Sequence, residues 1–239
     1  MTSFYDNEQS LDAYLAHRHA DVSSPNLVME DPALRREVGD VAGLDILDLG
    51  CGDGSFGAQC IDAGCGSFTG IDSAQGMVDR AVLTAPGATF SVASMEALEI
   101  EADAYDLVIS RMALHYVADL APVLAQVRHG LRPGGRFVFT VVHPVLTAAL
   151  EVANGHRTSV SVDNYFERGD RTRSWFGSSV VWQHRTIENY VTALIGDGFQ
   201  LAALRECPPI EELFDGNVAE FERRRRAPVF LLLSGRINS

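Results

Sequence analysis

Apolar residues fall in short blocks along the chain, and the blocks are separated by helical patterns. Blocks at 44–49, 67–71, 88–92, 105–109 and 135–142 have the length of buried strands, with two more near 199–206 and 229–235. Between them apolar residues recur every three or four positions. Leu11, Tyr14, Leu15 and Arg18 share one face of a candidate helix over residues 10–20. A second helix opens at Pro32 with Asp31 as its cap, Ser73 caps a helix over 74–84, Asp119 caps one ending before Arg132, and Thr186 caps one reaching about 196. This alternation predicts an α/β fold with a parallel sheet covered on both faces. The rhythm breaks after Pro144. Residues 147–182 are polar and aromatic, and an insertion of that length inside one domain is expected to be a lid or to carry short strands of its own.

The first strand runs into a loop with glycine at 50, 52, 54 and 57, and the second ends on Asp72. Strand, glycine loop, helix, strand and acid make a nucleoside-binding edge. Bare backbone lets a ligand approach closely, and Asp72 would accept hydrogen bonds from ribose hydroxyls. Residues 52–57 also satisfy G-x-G-x-x-G, the dinucleotide pattern. The frame disagrees, because the strand ends at Gly50 and the position five further on is Ser55. Asp48 lies two residues before Gly50, where its charge would oppose a pyrophosphate. It suits a ligand with positive groups and no phosphate, such as S-adenosylmethionine.

LDLGCGDGSFG, GIDSAQGMVDRA, YDLVISRMALHYVADL and LRPGGRFVFTVVHP follow one another in this order. In these motifs and their spacing the chain resembles the class I S-adenosylmethionine-dependent methyltransferases. Its first fifty residues are similar to a bacterial small-molecule branch with a Y-x-x-x-R helix and an N…E-x-P turn. The resemblance implies a Rossmann-like, mostly parallel sheet of seven strands with the last strand antiparallel. It also implies one domain over residues 1–239, with an N-terminal helical cap over 1–40 and the lid over 147–182.

Composition narrows the partners. A net charge of −13 opposes nucleic-acid binding. The run Arg223-Arg224-Arg225-Arg226 is the exception, and it reads as a solvated helix end. No apolar run reaches the ~18 residues of a membrane helix. The polar, acidic start lacks the order of a signal peptide, so a cytoplasmic location is expected. Cys51, Cys60, Cys65 and Cys207 show no metal-ligand spacing, so no metal is expected and the thiols read as reduced and structural. A small-molecule acceptor is the expected partner, and the oligomeric state is left open, a homodimer included.

The candidate cofactor residues are Asp48, Gly50, Gly52, Asp72, Ser73 and Met77, joined after the third and fourth strands by Ser94, Met95 and Arg111. The resemblance adds Tyr14 and Arg18, one helical turn apart, closing over the cofactor with Arg18 on its carboxylate, and more weakly Asn26. Where the family often carries an aspartate for the adenine amino group, this chain has Ser94, so that contact is weaker or made by backbone. Tyr165, Trp175 and His184 are expected at the acceptor. His143, at the end of the fifth strand, is the first candidate for a general base and His115 the second; His184 also reads as structural. The expected reaction is O- or N-methylation. A non-methylating use of the sulfonium, such as a cyclisation, and a nicotinamide-dependent oxidoreductase are the alternatives.

Overall fold

The inner strands form where apolar runs can be buried on both faces. The computed structural model describes Leu15 and residues 24–150, 159–175 and 178–238, with backbone alone at Trp175 and Ser178. Its main sheet contains β1 (Asp45–Leu49), β2 (Ser67–Asp72), β3 (Thr89–Val92), β4 (Tyr105–Arg111), β5 (Leu131–Val142), β8 (Gln200–Arg205) and β9 (Phe230–Arg236). The order across the sheet is β3-β2-β1-β4-β5-β9-β8. The pairs among β1 to β5 are parallel, and β9 is antiparallel to both of its neighbours. Chain order reverses between β1 and β4, which opens a crevice at their carboxyl ends.

Alternate residues of the strands feed two cores. Leu47, Leu49, Val108, Phe137 and Phe139 pack under α4 (Leu120–Gly130) and α6 (Ile187–Gly196). Ile46, Phe68, Leu107, Ile109 and Val138 pack under α1 (Asp31–Val38) and α2 (Ser55–Asp62). Asp119 caps α4 through Ala121 N, and Thr186 with Asn189 forms a reciprocal capping box on α6, as the sequence predicts.

Two expected caps fail. Asp31 is already helical, because a π-type turn over Asn26–Glu30 leads directly into α1. Its carboxylate instead accepts from Arg35 Nε at 2.5 Å and from Arg111 Nη2 at 3.1 Å. Ser73 does not cap α3 (Gln75–Thr84). Asp72 Oδ1 takes Ala74 N at 2.9 Å, since the longer acid at the strand end reaches the free amide first.

The insertion carries its own strands, β6 (Gly169–Trp175) and β7 (Ser178–His184), paired as an antiparallel hairpin. It packs on the carboxyl edge of β4 and β5. Val180 and Trp182 are buried with Val142, and Met112, Tyr116 and Leu146 pack against them. Thr147 Oγ1 meets His184 Nδ1 at 2.5 Å, and Arg173 Nη2 donates to the carbonyls of Thr147 and Ala149. The hairpin is thereby fastened as a wall. Of the candidate helix over residues 10–20, Leu15 alone is described. It is helical and packs against Ala74 and Met77.

Candidate active site

The glycine loop after β1 is built by backbone sterics. Gly50 has φ +83°, and a Cβ there would come 2.4 Å from the Cβ of Ala113, so the loop and the segment after β4 touch only because the side chain is missing. Gly52 has φ +58°, and a Cβ would meet nothing within 4 Å, so its backbone faces open space. Gly52 N donates to Asp72 Oδ2 at 3.0 Å. Held by this amide and by that of Ala74, the Asp72 carboxylate is fixed at the carboxyl end of β2. A carboxylate has about four acceptor sites, so backbone amides and sugar hydroxyls can share it. Met95 lies over the loop, its Cε 3.5 Å from the position of a Gly50 Cβ.

On the other side of the loop lies a cavity of about 220 Å³, bordered by Asn26, Asp31, Asp48, Asp53, Phe56 and Arg111, among others. Asp48 is buried at its floor. A lining with Asp31, Asp48 and Asp53 suits a ligand carrying an ammonium and a sulfonium better than a pyrophosphate. Arg111, expected to touch the cofactor, is committed inside the protein. Its Nη2 donates to Glu30 Oε2 at 2.7 Å and to Asp31 Oδ1 at 3.1 Å, and its plane lies 5.0 Å from the centre of the Phe56 ring. The fully buried Glu30 also accepts from Thr140 Oγ1 at 2.8 Å.

The structure places three other candidates as follows. Met77 is buried against Ala74 and Leu15, so it is core, as helix methionines often are. The Ser94 hydroxyl accepts from Glu96 N at 3.2 Å and shapes a turn, which leaves backbone for any contact with a base. Ser73 is exposed beside Asp72. Tyr14, Arg18 and Phe176 lie outside the described residues, as does the side chain of Trp175.

The segment after β4 turns sharply. Met112 takes φ +54°, a strained conformation for a residue with a side chain, and its amide is held by Thr140 O at 2.9 Å. The turn sends the chain into the short helix Leu114–Tyr116, where the His115 ring packs against Tyr116 and meets Trp182 edge-on at 5.9 Å. Arg185 Nη2 bonds the carbonyls of Val117 and Ala118 and ties the end of the hairpin to this segment.

The three histidines divide by their partners. His143 Nδ1 accepts from Val145 N at 3.1 Å, and its Nε2 faces Glu206 Oε1 at 3.2 Å. It caps a one-turn helix, α5 (Pro144–Thr147), so the first candidate for a base is structural. His184 Nε2 lies 2.8 Å from Tyr165 O, and with Thr147 on Nδ1 both nitrogens are taken; it anchors the hairpin and does not face an acceptor. Tyr165 is half-buried beside it, ring to ring at 5.6 Å. His115 Nδ1 has no hydrogen-bond partner among the described residues. Burial pushes this imidazole down to about 3, with the Arg185 charge adding to the shift.

Burial also lowers His143 and His184. A histidine depressed in the folded state binds fewer protons there than in the unfolded chain, so its stability contribution is complete above about pH 6.5 and is lost as pH falls. Each contributes up to ~1.4 kcal/mol per pH unit within its window, which for His115 reaches down to about 3. The midpoint of thermal unfolding should therefore drop from about pH 7 to about pH 5, and less so in His115→Phe. An unfolding midpoint independent of pH over that range would contradict the assignment of neutral buried imidazoles.

The arginine run is occupied. Arg223 and Arg224 both donate to Glu220, and Arg225 pairs with Glu222 at 3.0 Å. Among the described residues no helix is long and apolar enough to cross a membrane.

Comparison with known proteins agrees with this geometry. A family described as a methyltransferase domain matches residues 46–135, from β1 to the start of β5. The crystal structure of an S-adenosylmethionine dependent methyltransferase from Mesorhizobium loti is 36% identical, with 87% of this chain and 97% of that one covered and a TM-score of 0.80. An uncharacterised protein from Haemophilus influenzae is 28% identical over 85% of each chain. A malonyl-[acyl-carrier protein] O-methyltransferase from Methylococcus capsulatus is 32% identical over 51% of this chain and 49% of its own. The chain belongs to the S-adenosylmethionine-dependent methyltransferases. It is an enzyme, and its cofactor is S-adenosylmethionine.

Proposed function

We propose that this methyltransferase acts on a small-molecule acceptor, by O- or N-methylation, at the carboxyl edge of β4 and β5. The observation that carries the reading is the hairpin wall. Trp182 and Val180 pack beside Met112 and Tyr116 at that edge, next to His115. Such a wall makes a compact, water-excluding site suited to a flat or apolar molecule. The paired arginine run and the net charge of −13 add weight against a nucleic-acid acceptor. The malonyl-[acyl-carrier protein] relative is an O-methyltransferase by name, though this chain spans only about half its length.

In this reading Asp72 holds the ribose, with Ser73 beside it, Gly50 and Gly52 give the ligand bare backbone, and Met95 covers the base beside the backbone of Ser94. Asp48, aided by the carboxylates around it, faces the positive groups of the methionine end, and Tyr14 and Arg18 close over its carboxylate. When bound, the cofactor supplies an electrophilic methyl group on a sulfonium. The protein's part is alignment and exclusion of water, which can be worth ~7–11 kcal/mol. A neutral His115 is a hydrogen-bond acceptor and so a positioning group for an acceptor O–H or N–H; a base so weak takes a proton poorly at neutral pH.

Incubation with methyl-labelled cofactor and a bacterial extract tests the proposal. Label should enter the low-mass fraction, in a product heavier than its acceptor by one methylene. Label confined to protein or nucleic acid would defeat it, and so would a product isomeric with its precursor.

A further inference from the structure

Helix α2 ends in a turn that brings two cysteines together. Gly64, at φ +79°, reverses the chain, and its amide donates to Ile61 O at 2.9 Å while Cys65 N donates to Cys60 O at 3.0 Å. This nested pair of bonds is a Schellman motif, in which the two residues joined by the outer bond commonly bring their side chains into contact. Both of those residues are cysteines, and both are free thiols. Cys60 is buried in the core beneath α2, and the half-buried Cys65 packs against the same core. The thiols are near enough for the charge of one to push up the other. The turn is also held from outside. Gly43 N donates to Gly64 O at 2.9 Å and Gly66 N to Leu44 O at 2.8 Å, which ties it to the entry of β1.

We infer that Cys60 and Cys65 form a disulfide-closing pair, oxidised in the folded protein by a small disulfide of the glutathione type, so that the end of α2 is stapled to the turn that feeds β2. A disulfide needs neighbouring Cα atoms and converging side chains, and the motif supplies both without moving the backbone. Cys65 is the more open sulfur and reacts first. Its thiolate attacks the small disulfide and expels one small thiolate; Cys60 then attacks the mixed disulfide at the Cys65 sulfur and expels the second. The two protein thiols lose two electrons and two protons, and the small disulfide becomes two thiols. Burial pushes the Cys60 thiol up to about 12, and burial with the Asp45 charge raises Cys65. Thiols so little ionised react slowly, but their bridge is correspondingly hard to reduce, because nothing stabilises the free thiolates. The bridge lies at the opposite end of α2 from the glycine loop, so it fastens the scaffold and leaves the cofactor residues untouched.

Incubation of the native protein with glutathione disulfide, followed by alkylation and peptide mapping, tests this. Wild type should lose two hydrogens and two alkylatable thiols, with the bridge mapped to Cys60 and Cys65. Cys60→Ala should stop with glutathione on Cys65, and Cys65→Ser should form neither the adduct nor the bridge. The rate in wild type should rise about tenfold from pH 7 to pH 8, in step with the thiolate fraction. The bridged protein should unfold a few degrees higher than the reduced one, because the link restricts the unfolded chain. A glutathione adduct that never closes in wild type would overturn the inference, as would a bridge to Cys51 or Cys207, or one that forms only in denaturant. An unfolding midpoint no higher than that of the reduced protein would show that the turn must distort to close, and would overturn it too.

Discussion

Asp72→Asn should weaken binding of S-adenosylhomocysteine by about two orders of magnitude. The acid stands at the end of β2 with Gly52 N and Ala74 N on its two oxygens. These amides fix it before any ligand arrives, so its bonds to ribose hydroxyls cost little reorganisation. A hydrogen bond to a charged group contributes about 1.5–3 kcal/mol, and two are at stake. The amide keeps one acceptor oxygen but turns an NH₂ towards either the glycine loop or the sugar. Folding stability should fall by ~1–3 kcal/mol, because the amide keeps an acceptor for only one of the two backbone donors and Ala74 is fully buried. Calorimetry and thermal unfolding of the variant separate the two effects. Wild-type affinity would mean that the ribose is held elsewhere.

The second large effect is expected from Trp182→Ala. Trp182 is 8% exposed and packs from β7 onto the segment after β4. Truncating a buried tryptophan of this kind costs ~3–5 kcal/mol. The damage should be selective. The glycine loop and Asp72 lie at the ends of β1 and β2, and the residues packed against Trp182 belong to other segments, so S-adenosylhomocysteine affinity should stay within a few fold. Methyl transfer should be lost, because the wall beside His115 is gone. Assays at a temperature where the variant remains folded make the comparison. Normal turnover there would remove the hairpin from the acceptor site.

Strand positions were legible in the sequence because the central strands β1, β4 and β5 are apolar runs buried on both faces, and a run of that kind has few other uses. The glycine loop and Asp72 were legible because backbone geometry and a strand-end acid impose residue types at fixed spacing. The histidines were not. His143 and His184 stand at strand ends, where a base would also stand, and only their neighbours reveal that Val145 N donates to His143 Nδ1 with Glu206 3.2 Å from its Nε2, and that Thr147 and Tyr165 meet both nitrogens of His184. The setting of Arg111 was hidden for the same reason, since its partner Glu30 lies 81 residues away in the chain. The N…E-x-P turn held the missed signal, a glutamate between the apolar positions Val28 and Met29 and the start of α1. The left-handed Met112 left no trace at all, because methionine is not a residue that turns select.

The most direct measurement is a crystal structure of the protein with S-adenosylhomocysteine. The account predicts ribose hydroxyls on the Asp72 carboxylate and the amino acid end in the cavity of Asp48 and Asp31. The sulfur should lie towards Met112 and His115, beneath the hairpin wall. A ligand bound away from Asp72, or with its sulfur turned from the edge of β4, would contradict it.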